Sequence, residues 1–215
     1  MDKLNVYSIF HSIQGESTYA GLPCVFIRLS GCSLNCVYCD TKEACRIINE
    51  RLPIKDIIKR VEGFNCPLVE VTGGEPLEQK ATLKLLKALA EREFKVLLET
   101  NGAHPVLNID ERVMVVMDIK TPGSLMSEFI YEPNLTGLNR KRQQIKFVIT
   151  GRDDFDFAVK MTRKYRLSHQ TDVLISNVSE LDRAEVAEWI LQSGLPFRYQ
   201  VQLHKVIWPD AEEEV

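Results

Sequence analysis

Three cysteines within eight residues, Cys32, Cys36 and Cys39, form the densest group of reactive side chains in the chain. Spaced Cys-x3-Cys-x2-Cys, their thiolates can converge from a single loop on one metal centre, and soft sulfur ligands favour zinc, copper(I) or an iron–sulfur cluster. The spacing by itself leaves these open. A structural zinc takes four protein ligands, so the zinc reading has to recruit Cys24, Cys45 or a histidine. Three cysteines on a four-iron cluster instead leave one iron free to bind a small molecule. Cys24, Cys45 and Cys66 are scattered singly and read as packing residues.

The elements that must position these thiols show as alternating apolar runs and amphipathic stretches. Val25 to Leu29, Leu68 to Thr72, Val96 to Glu99, Val113 to Ile119, Ile145 to Ile149, Val173 to Val178 and Tyr199 to Leu203 read as short buried strands. Ile54, Ile57, Ile58 and Val61 follow helical spacing with Pro53 at the start; Leu83, Leu86 and Ala90 mark the next stripe, Ala158, Val159 and Thr162 a weaker one, and Val186, Trp189 and Ile190 the last. Such alternation predicts an α/β fold with a parallel sheet and crossover helices. A closed eight-unit barrel takes about 250 residues. The 215 residues here suit a partial, incomplete parallel β/α barrel of about six units in a single domain, with short extensions at each end.

The unusual residues fall where those strands end. The cysteines follow the first strand, Thr72-Gly73-Gly74-Glu75-Pro76 ends the second, Glu99-Thr100-Asn101-Gly102 the third and Asp118-Ile119-Lys120-Thr121-Pro122 the fourth, with Asn177 and His204 at the ends of later strands. Parallel α/β proteins bind ligands at the carboxyl edge of the sheet, so one site can collect all six segments.

Composition narrows the partners. With 27 Lys and Arg against 30 Asp and Glu the formal charge is −3, which gives no global field toward nucleic acid or an anionic membrane. No apolar run approaches the roughly 20 residues of a membrane span, and the first ten residues lack a signal-type pattern. A cytoplasmic protein is expected. The acidic tail Glu212 to Glu214 reads as a solvated end.

Cys32-Ser33-Leu34-Asn35-Cys36-Val37-Tyr38-Cys39 resembles the signature of the radical S-adenosylmethionine superfamily, including the aromatic residue before the third cysteine. Gly73-Gly74-Glu75-Pro76 resembles that superfamily's Gly-Gly-Glu motif. The resemblance implies a [4Fe-4S] cluster on the three cysteines, with the amino and carboxylate groups of S-adenosylmethionine on the open iron. Its cleavage yields a 5′-deoxyadenosyl radical that abstracts a substrate hydrogen. Tyr38, Asp40, Gly73, Gly74, Glu75, Asp118, Ile119, Lys120 and Asn177 then become cofactor contacts. Carbonyls of the Gly73-Gly74 turn and the Glu75 carboxylate offer acceptors for the methionine amino group.

Ile13-Gln14-Gly15-Glu16, Gly21-Leu22-Pro23, Phe26-Ile27-Arg28-Leu29, Gly31-Cys32 and Cys39-Asp40-Thr41-Lys42 resemble, in order and spacing, the beginning of the 7-carboxy-7-deazaguanine synthase family, and Gln202-Leu203-His204-Lys205 its terminal segment. That family converts 6-carboxy-5,6,7,8-tetrahydropterin to 7-carboxy-7-deazaguanine with loss of ammonia, on the route to queuosine and related 7-deazapurines. The resemblance implies pterin contacts from Ile13, Gln14, Gly15, Glu16, Arg28, Thr72, His204 and Pro209, and a magnesium ion at Thr41. Arg28 shares strand parity with Phe26, so its planar fork can project into the barrel toward a carboxylate. A flavodoxin or ferredoxin as electron donor and a homodimeric assembly follow from the same resemblance. Two departures stand out: Ser17 follows Glu16 where the family often has glycine, and Asp118-Ile119 precedes Lys120 where Ser-Pro is common. Two rival readings are a glycyl-radical activase, since Asp-Ile-Lys also occurs there, and a zinc-stabilised binding module.

Overall fold

The computed structural model describes residues 2–209, so the acidic tail Glu212 to Glu214 lies outside the described residues. A single nine-stranded sheet runs in the order β3-β1-β2-β4-β5-β6-β7-β8-β9. Its strands are β1 (Lys3–Ile13), β2 (Pro23–Leu29), β3 (Glu50–Pro53), β4 (Leu68–Gly73), β5 (Lys95–Thr100), β6 (Met114–Asp118), β7 (Gln143–Ile149), β8 (Asp172–Asn177) and β9 (Arg198–Tyr199). From β2 through β9 every neighbouring pair is parallel, whereas β1 runs antiparallel to both β2 and β3. The strands do not close into a ring, so the architecture is the expected partial barrel with an antiparallel extension.

Strands β2 and β4 to β8 lie within a residue or two of the expected runs, because continuous β-branched stretches can be buried only between two covered faces. β1 and β3 are additions to the expected set. The run expected from Tyr199 to Leu203 is corrected: only Arg198–Tyr199 pairs with β8, and Leu203–Ile207 forms a short helix. Gln200 explains the break, since its side-chain oxygen accepts from Ser17 N at 3.0 Å and its amide donates to Ser17 O at 2.5 Å, turning the chain toward the β1–β2 loop.

Helices α1 (Ile54–Glu62), α2 (Thr82–Ala90), α3 (Arg152–Lys164), α4 (Leu167–Gln170), α5 (Arg183–Ser193) and α6 (Leu203–Ile207) fill most of the expected places. Pro53 caps α1 in extended conformation and Ile57, Ile58 and Val61 are buried. In α2 the buried stripe is Leu85, Leu86, Leu89 and Ala90, while Leu83 is exposed, a rotation from the expected face. The strand-then-helix rule also lapses twice. The β5–β6 and β6–β7 connections contain no α-helix; Pro105, Asn108, Pro122 and Pro133 break them into turns, and Val106, Ile109, Val113 and Leu135 cover the sheet instead. No helix among the described residues is long and apolar enough to cross a membrane.

Close approach of backbones fixes the carboxyl edge. Gly73 has φ +134°, and a Cβ there would lie 2.1 Å from the Leu29 carbonyl oxygen of β2; one on Gly74 would lie 2.1 Å from Gly31 O. Gly21 is also left-handed at φ +91° but meets nothing within 4 Å. Replacing Gly73 by alanine should therefore destabilise the fold by about 2–4 kcal/mol, against about 1 kcal/mol for Gly21→Ala. The difference between their denaturant midpoints isolates the cost of the clash.

Candidate active site

A cavity of about 440 Å³ opens at the carboxyl edge of the sheet, well within the ordinary size of a small-molecule site. The sequence placed six segments there, and five of them meet on its wall: the cysteine loop, the Gly73-Gly74 turn, Glu99 to Asn101, Asp118 with Lys120, and His204. The β1–β2 loop, from Ile13 to Glu16, forms a further wall.

The cysteine loop is held by its backbone. Gly31 N donates to Ala44 O at 2.8 Å, Glu75 N to Gly31 O at 2.7 Å, and Val37 N to Ser124 O at 3.3 Å, so the loop is tied both to the Gly-Gly turn and to the segment after β6. Cys32, Cys36 and Cys39 all line the cavity. Cys45, read from the sequence as packing, lines it too and stands within hydrogen-bonding reach of Cys32 and Cys39, whereas Cys24 and Cys66 are buried. Its hydrogen bond pulls the Cys39 thiol down to about 6 and lowers that of Cys32; burial pushes the Cys36 thiol up. The fourth thiol demanded by the zinc reading is thus at hand, yet among the described residues no group of three or more His, Cys, Asp or Glu side chains is arranged to hold a single metal ion. A cluster with one open iron needs only the three cysteines of the loop together with a cavity beside them.

The groups next to the cysteines suit a zwitterionic ligand such as S-adenosylmethionine. Gly73 and Gly74 bring backbone to the cavity wall where any Cβ would collide. Asn101 Nδ2 and Asp118 Oδ1 are buried without a protein partner, and both residues line the cavity. Lys120 donates to Asp118 Oδ2 at 3.1 Å and sits over the Tyr38 ring at 5.9 Å from its centroid. Glu75 plays a different part from the one expected. Its carboxylate is fully buried outside the cavity lining and accepts from Leu77 N, Thr100 Oγ1 and Asn101 N at 2.7–2.9 Å, which locks the ends of β4 and β5 together.

Lys146 is the charge at the centre of the site. Although its neighbours from Ile145 to Ile149 in β7 are apolar, this side chain lines the cavity at 3% exposure. Its ammonium meets three carboxylates: Glu16 Oε2 at 2.5 Å, Glu99 Oε1, and Asp118 Oδ2 at 3.3 Å. Burial disfavours its charge, but Asp118, Glu16 and Glu99 outweigh that and raise its pKa well above the lysine norm. Glu16 is in turn held below the ordinary carboxylate range, Lys146 and Gln202 overcoming burial. Glu70, on the floor of the same cavity, faces these acids without a cation of its own. Burial first, then the charge of Glu99, pushes it up to about 8.

A C-terminal strap covers this network. Gln202 Nε2 donates to Glu16 Oε1 at 2.6 Å, Leu203 N to Gly15 O at 3.0 Å, and Lys205 Nζ to Asp40 Oδ2 at 3.1 Å. His204 packs so tightly on Gly15 that a Cβ there would lie 2.1 Å from its Nδ1.

Of the residues expected in the site, Ile13, Gln14, Gly15, Glu16, Arg28, Tyr38, Asp40, Thr41, Thr72, Gly73, Gly74, Asp118, Lys120 and His204 line the cavity with the cysteines. Glu75, Ile119, Asn177 and Pro209 do not. Ile119 is buried in the core. Asn177 donates to Val178 O and Leu181 O and accepts from Tyr199 OH, so it shapes the loop that brings Val178, Ser179 and Glu180 to the rim. Pro209 is exposed. Sequence reasoning missed Glu70 and Lys146, and a signal existed for both: each is a charged residue inside a strand read as buried, which is rare without a partner.

The chain matches the Radical SAM superfamily model over residues 26–190. It is 43% identical to the 7-carboxy-7-deazaguanine synthase of Chlorobaculum tepidum, covering 97% of this chain and 96% of that one, and 33% identical to the protein of the same name from Koribacter versatilis, covering 95% and 97%. The fold is similar to the crystal structure of QueE from Escherichia coli, with a TM-score of 0.76, 20% identity, and coverage of 94% of this chain and 95% of that one.

Removing the central cation should be costly. Lys146→Met leaves buried carboxylates uncompensated and should lower stability by about 3–5 kcal/mol, read from the urea midpoint at pH 7.5. Glu70 has the opposite leverage. Because its folded pKa of about 8 lies above the ordinary 4.5, the folded state holds its proton longer, and stability falls as pH rises from about 4.5 to 8. Glu70→Gln removes that titration, so the variant should gain melting temperature relative to the parent between pH 5 and pH 8, with no such divergence below pH 4.5.

Proposed function

Because the chain belongs to the radical SAM superfamily and, within it, to the 7-carboxy-7-deazaguanine synthase family, we propose that this cavity converts 6-carboxy-5,6,7,8-tetrahydropterin to 7-carboxy-7-deazaguanine, as a carbon–nitrogen lyase of 7-deazapurine biosynthesis. The observation that carries this reading is convergence. The cysteine loop, the Gly-Gly turn, the Gln14 to Glu16 loop, Arg28 and His204 are far apart in sequence, resemble that family segment by segment, and line one cavity. The conversion is redox-neutral overall: the ring contracts, one nitrogen leaves as ammonia, and the hydrogen first removed is returned.

Cys32, Cys36 and Cys39 would hold the [4Fe-4S] cluster, and the Gly73-Gly74 carbonyls, Asn101, Asp118 and Lys120 would hold S-adenosylmethionine. When bound, that pair supplies a radical able to abstract hydrogen from carbon. The chain's own groups do the positioning. Arg28, whose guanidinium lies 5.7 Å from the Phe10 ring centroid, faces the cavity beside Thr72, its Cα partner across β2 and β4. A planar fork there suits the substrate carboxylate. The Gln14–Glu16 loop and the Gln202–His204 strap enclose the ring, and enclosure keeps water from a reactive substrate. Thr41, whose hydroxyl lies 3.8 Å from Cys39 Sγ and which lines the cavity, presents a hard oxygen that would hold Mg²⁺, and that ion would supply stabilisation of negative charge on the substrate.

In this reading a flavodoxin or ferredoxin donates the electrons, two copies form a homodimer, and the enzyme works in the cytoplasm, where its six free cysteines stay reduced. The zinc-module alternative is set aside by membership in a radical SAM enzyme family, and no separate observation favours an activase.

Anaerobic incubation of reconstituted protein with reductant, S-adenosylmethionine, Mg²⁺ and 6-carboxytetrahydropterin should yield 7-carboxy-7-deazaguanine, detected by mass spectrometry. Arg28→Lys, which keeps the charge and loses the fork, should lower kcat/KM by about 100-fold, roughly 3 kcal/mol, with little change in cluster content. An intact cluster that cleaves S-adenosylmethionine but gives no deazaguanine would reject the substrate assignment.

A further inference from the structure

Six acids line the cavity. Asp40, paired with Lys205, and Glu180 are exposed at its edge, and among the four inner ones the hydrogen bonds leave only one with a free oxygen that the cofactor end does not claim. Glu16 uses both oxygens, on Lys146 and Gln202, and Glu99 uses both, on Lys146 and Thr72 Oγ1 at 3.2 Å. Asp118 shares Oδ2 between Lys120 and Lys146, and its other oxygen lies at the cofactor end of the site. Glu70 is different. Oε2 accepts from Gln14 Nε2 at 2.5 Å, and Oε1 has no donor within bonding distance among the described residues. The residue is 5% exposed and lines the cavity, so this capacity is directed there.

Its orientation is fixed from outside. Gln14 Oε1 accepts from Glu16 N at 3.0 Å, which settles the direction of the amide and commits its NH₂ to Glu70. Phe26, the Cα partner of Glu70 across β2 and β4, lines the cavity alongside it and offers an aromatic face. Two residues along a strand separate Glu70 from Thr72, the Cα partner of Arg28. Glu70 and Thr72 therefore lie about 7 Å apart at Cα on one face of β4, and Glu70 and Arg28 both line the cavity.

Resting on the substrate assignment above, we propose that Glu70, held by Gln14, reads the 2-amino-4-oxopyrimidine edge of the substrate and sets its specificity for a pterin over the corresponding 2,4-dioxo ring. The chemistry is complementary. The N3–H and 2-amino groups present two adjacent donors; Oε1 is free to accept one, and Oε2 keeps a second lone pair beside the Gln14 amide for the other. In the dioxo ring an oxygen replaces the amino group, so acceptor faces acceptor, and a buried polar site rejects that mismatch strongly. The substrate donors also favour the carboxylate form of a group that burial otherwise keeps protonated.

The test compares kcat/KM for 6-carboxytetrahydropterin and 6-carboxytetrahydrolumazine in the reconstituted parent and in Glu70→Gln and Glu70→Asp. The parent should prefer the pterin by at least about 100-fold. Glutamine offers one acceptor and one donor, which suits the dioxo edge, so Glu70→Gln should reduce that ratio to below about 10-fold or invert it, chiefly through KM. Glu70→Asp should bind both more weakly and keep the preference. Fluorescence titration of the parent with 6-carboxypterin and 6-carboxylumazine gives the same comparison without turnover and without a variant. An unchanged ratio in Glu70→Gln, or equal affinity of the parent for the two rings, overturns the assignment of Glu70 while leaving pterin turnover standing. A parent that processes neither ring overturns the substrate reading and this inference with it.

Discussion

One ammonium holds this site together. Lys146 extends from β7 into the barrel and meets Glu16 from the β1–β2 loop, Glu99 from the end of β5 and Asp118 from the end of β6. Its ammonium donates hydrogen bonds to Glu16 and Glu99, and Asp118 adds a third carboxylate as an ion pair at 3.3 Å. In a low-dielectric interior neither the cation nor the acids would be tolerated alone, so each requires the others. The constraint reaches beyond its own contacts. Glu16 passes it through Gln202 to the C-terminal strap, and Asp118 passes it through Lys120 to the face of Tyr38 in the cysteine loop.

That arrangement divides the cavity by chemistry. Near the cysteines lie close-packed glycines, Lys120 and buried polar atoms without protein partners, an environment for a charged cofactor. Deeper along the strands, Arg28 and Glu70 stand two strand positions apart with Phe26 beside them, an environment for a flat polar ring with an acidic end. The sheet stays open, and the space that the missing barrel units would have filled is bordered by the β1–β2 loop and the strap instead. Neither forms a long regular element. Their order comes from reciprocal bonds such as the Ser17–Gln200 pair, in which one amide satisfies both backbone groups of a residue 183 positions earlier.

Much of this was legible before the fold was known. Cys32, Cys36 and Cys39 declare themselves by spacing, the Gly-Gly turn by its place at a strand end, and Arg28 by strand parity. Other residues were misplaced for identifiable reasons. Glu75 looks like a ligand in a linear motif, yet its carboxylate is consumed by donors at the ends of two strands. Asn177 sits at a strand end like the true wall residues, but its amide is spent on its own loop. Cys45 carries no local signal, since only the folded loop brings it beside Cys32 and Cys39.

By itself the sequence determined the periodicities of the parallel sheet, the thiol spacing and the list of strand ends where ligands bind, because all of these are local in the chain. Tertiary structure alone decided how the charges pair. Glu16 and Lys146 are 130 positions apart, and Glu16 and Gln202 are 186 apart. Whether a carboxylate at the end of a strand is a clamp, a counter-ion or a free reader of substrate depends on which donors reach it. Those distances come into being only when the sheet curls and the strap closes over it.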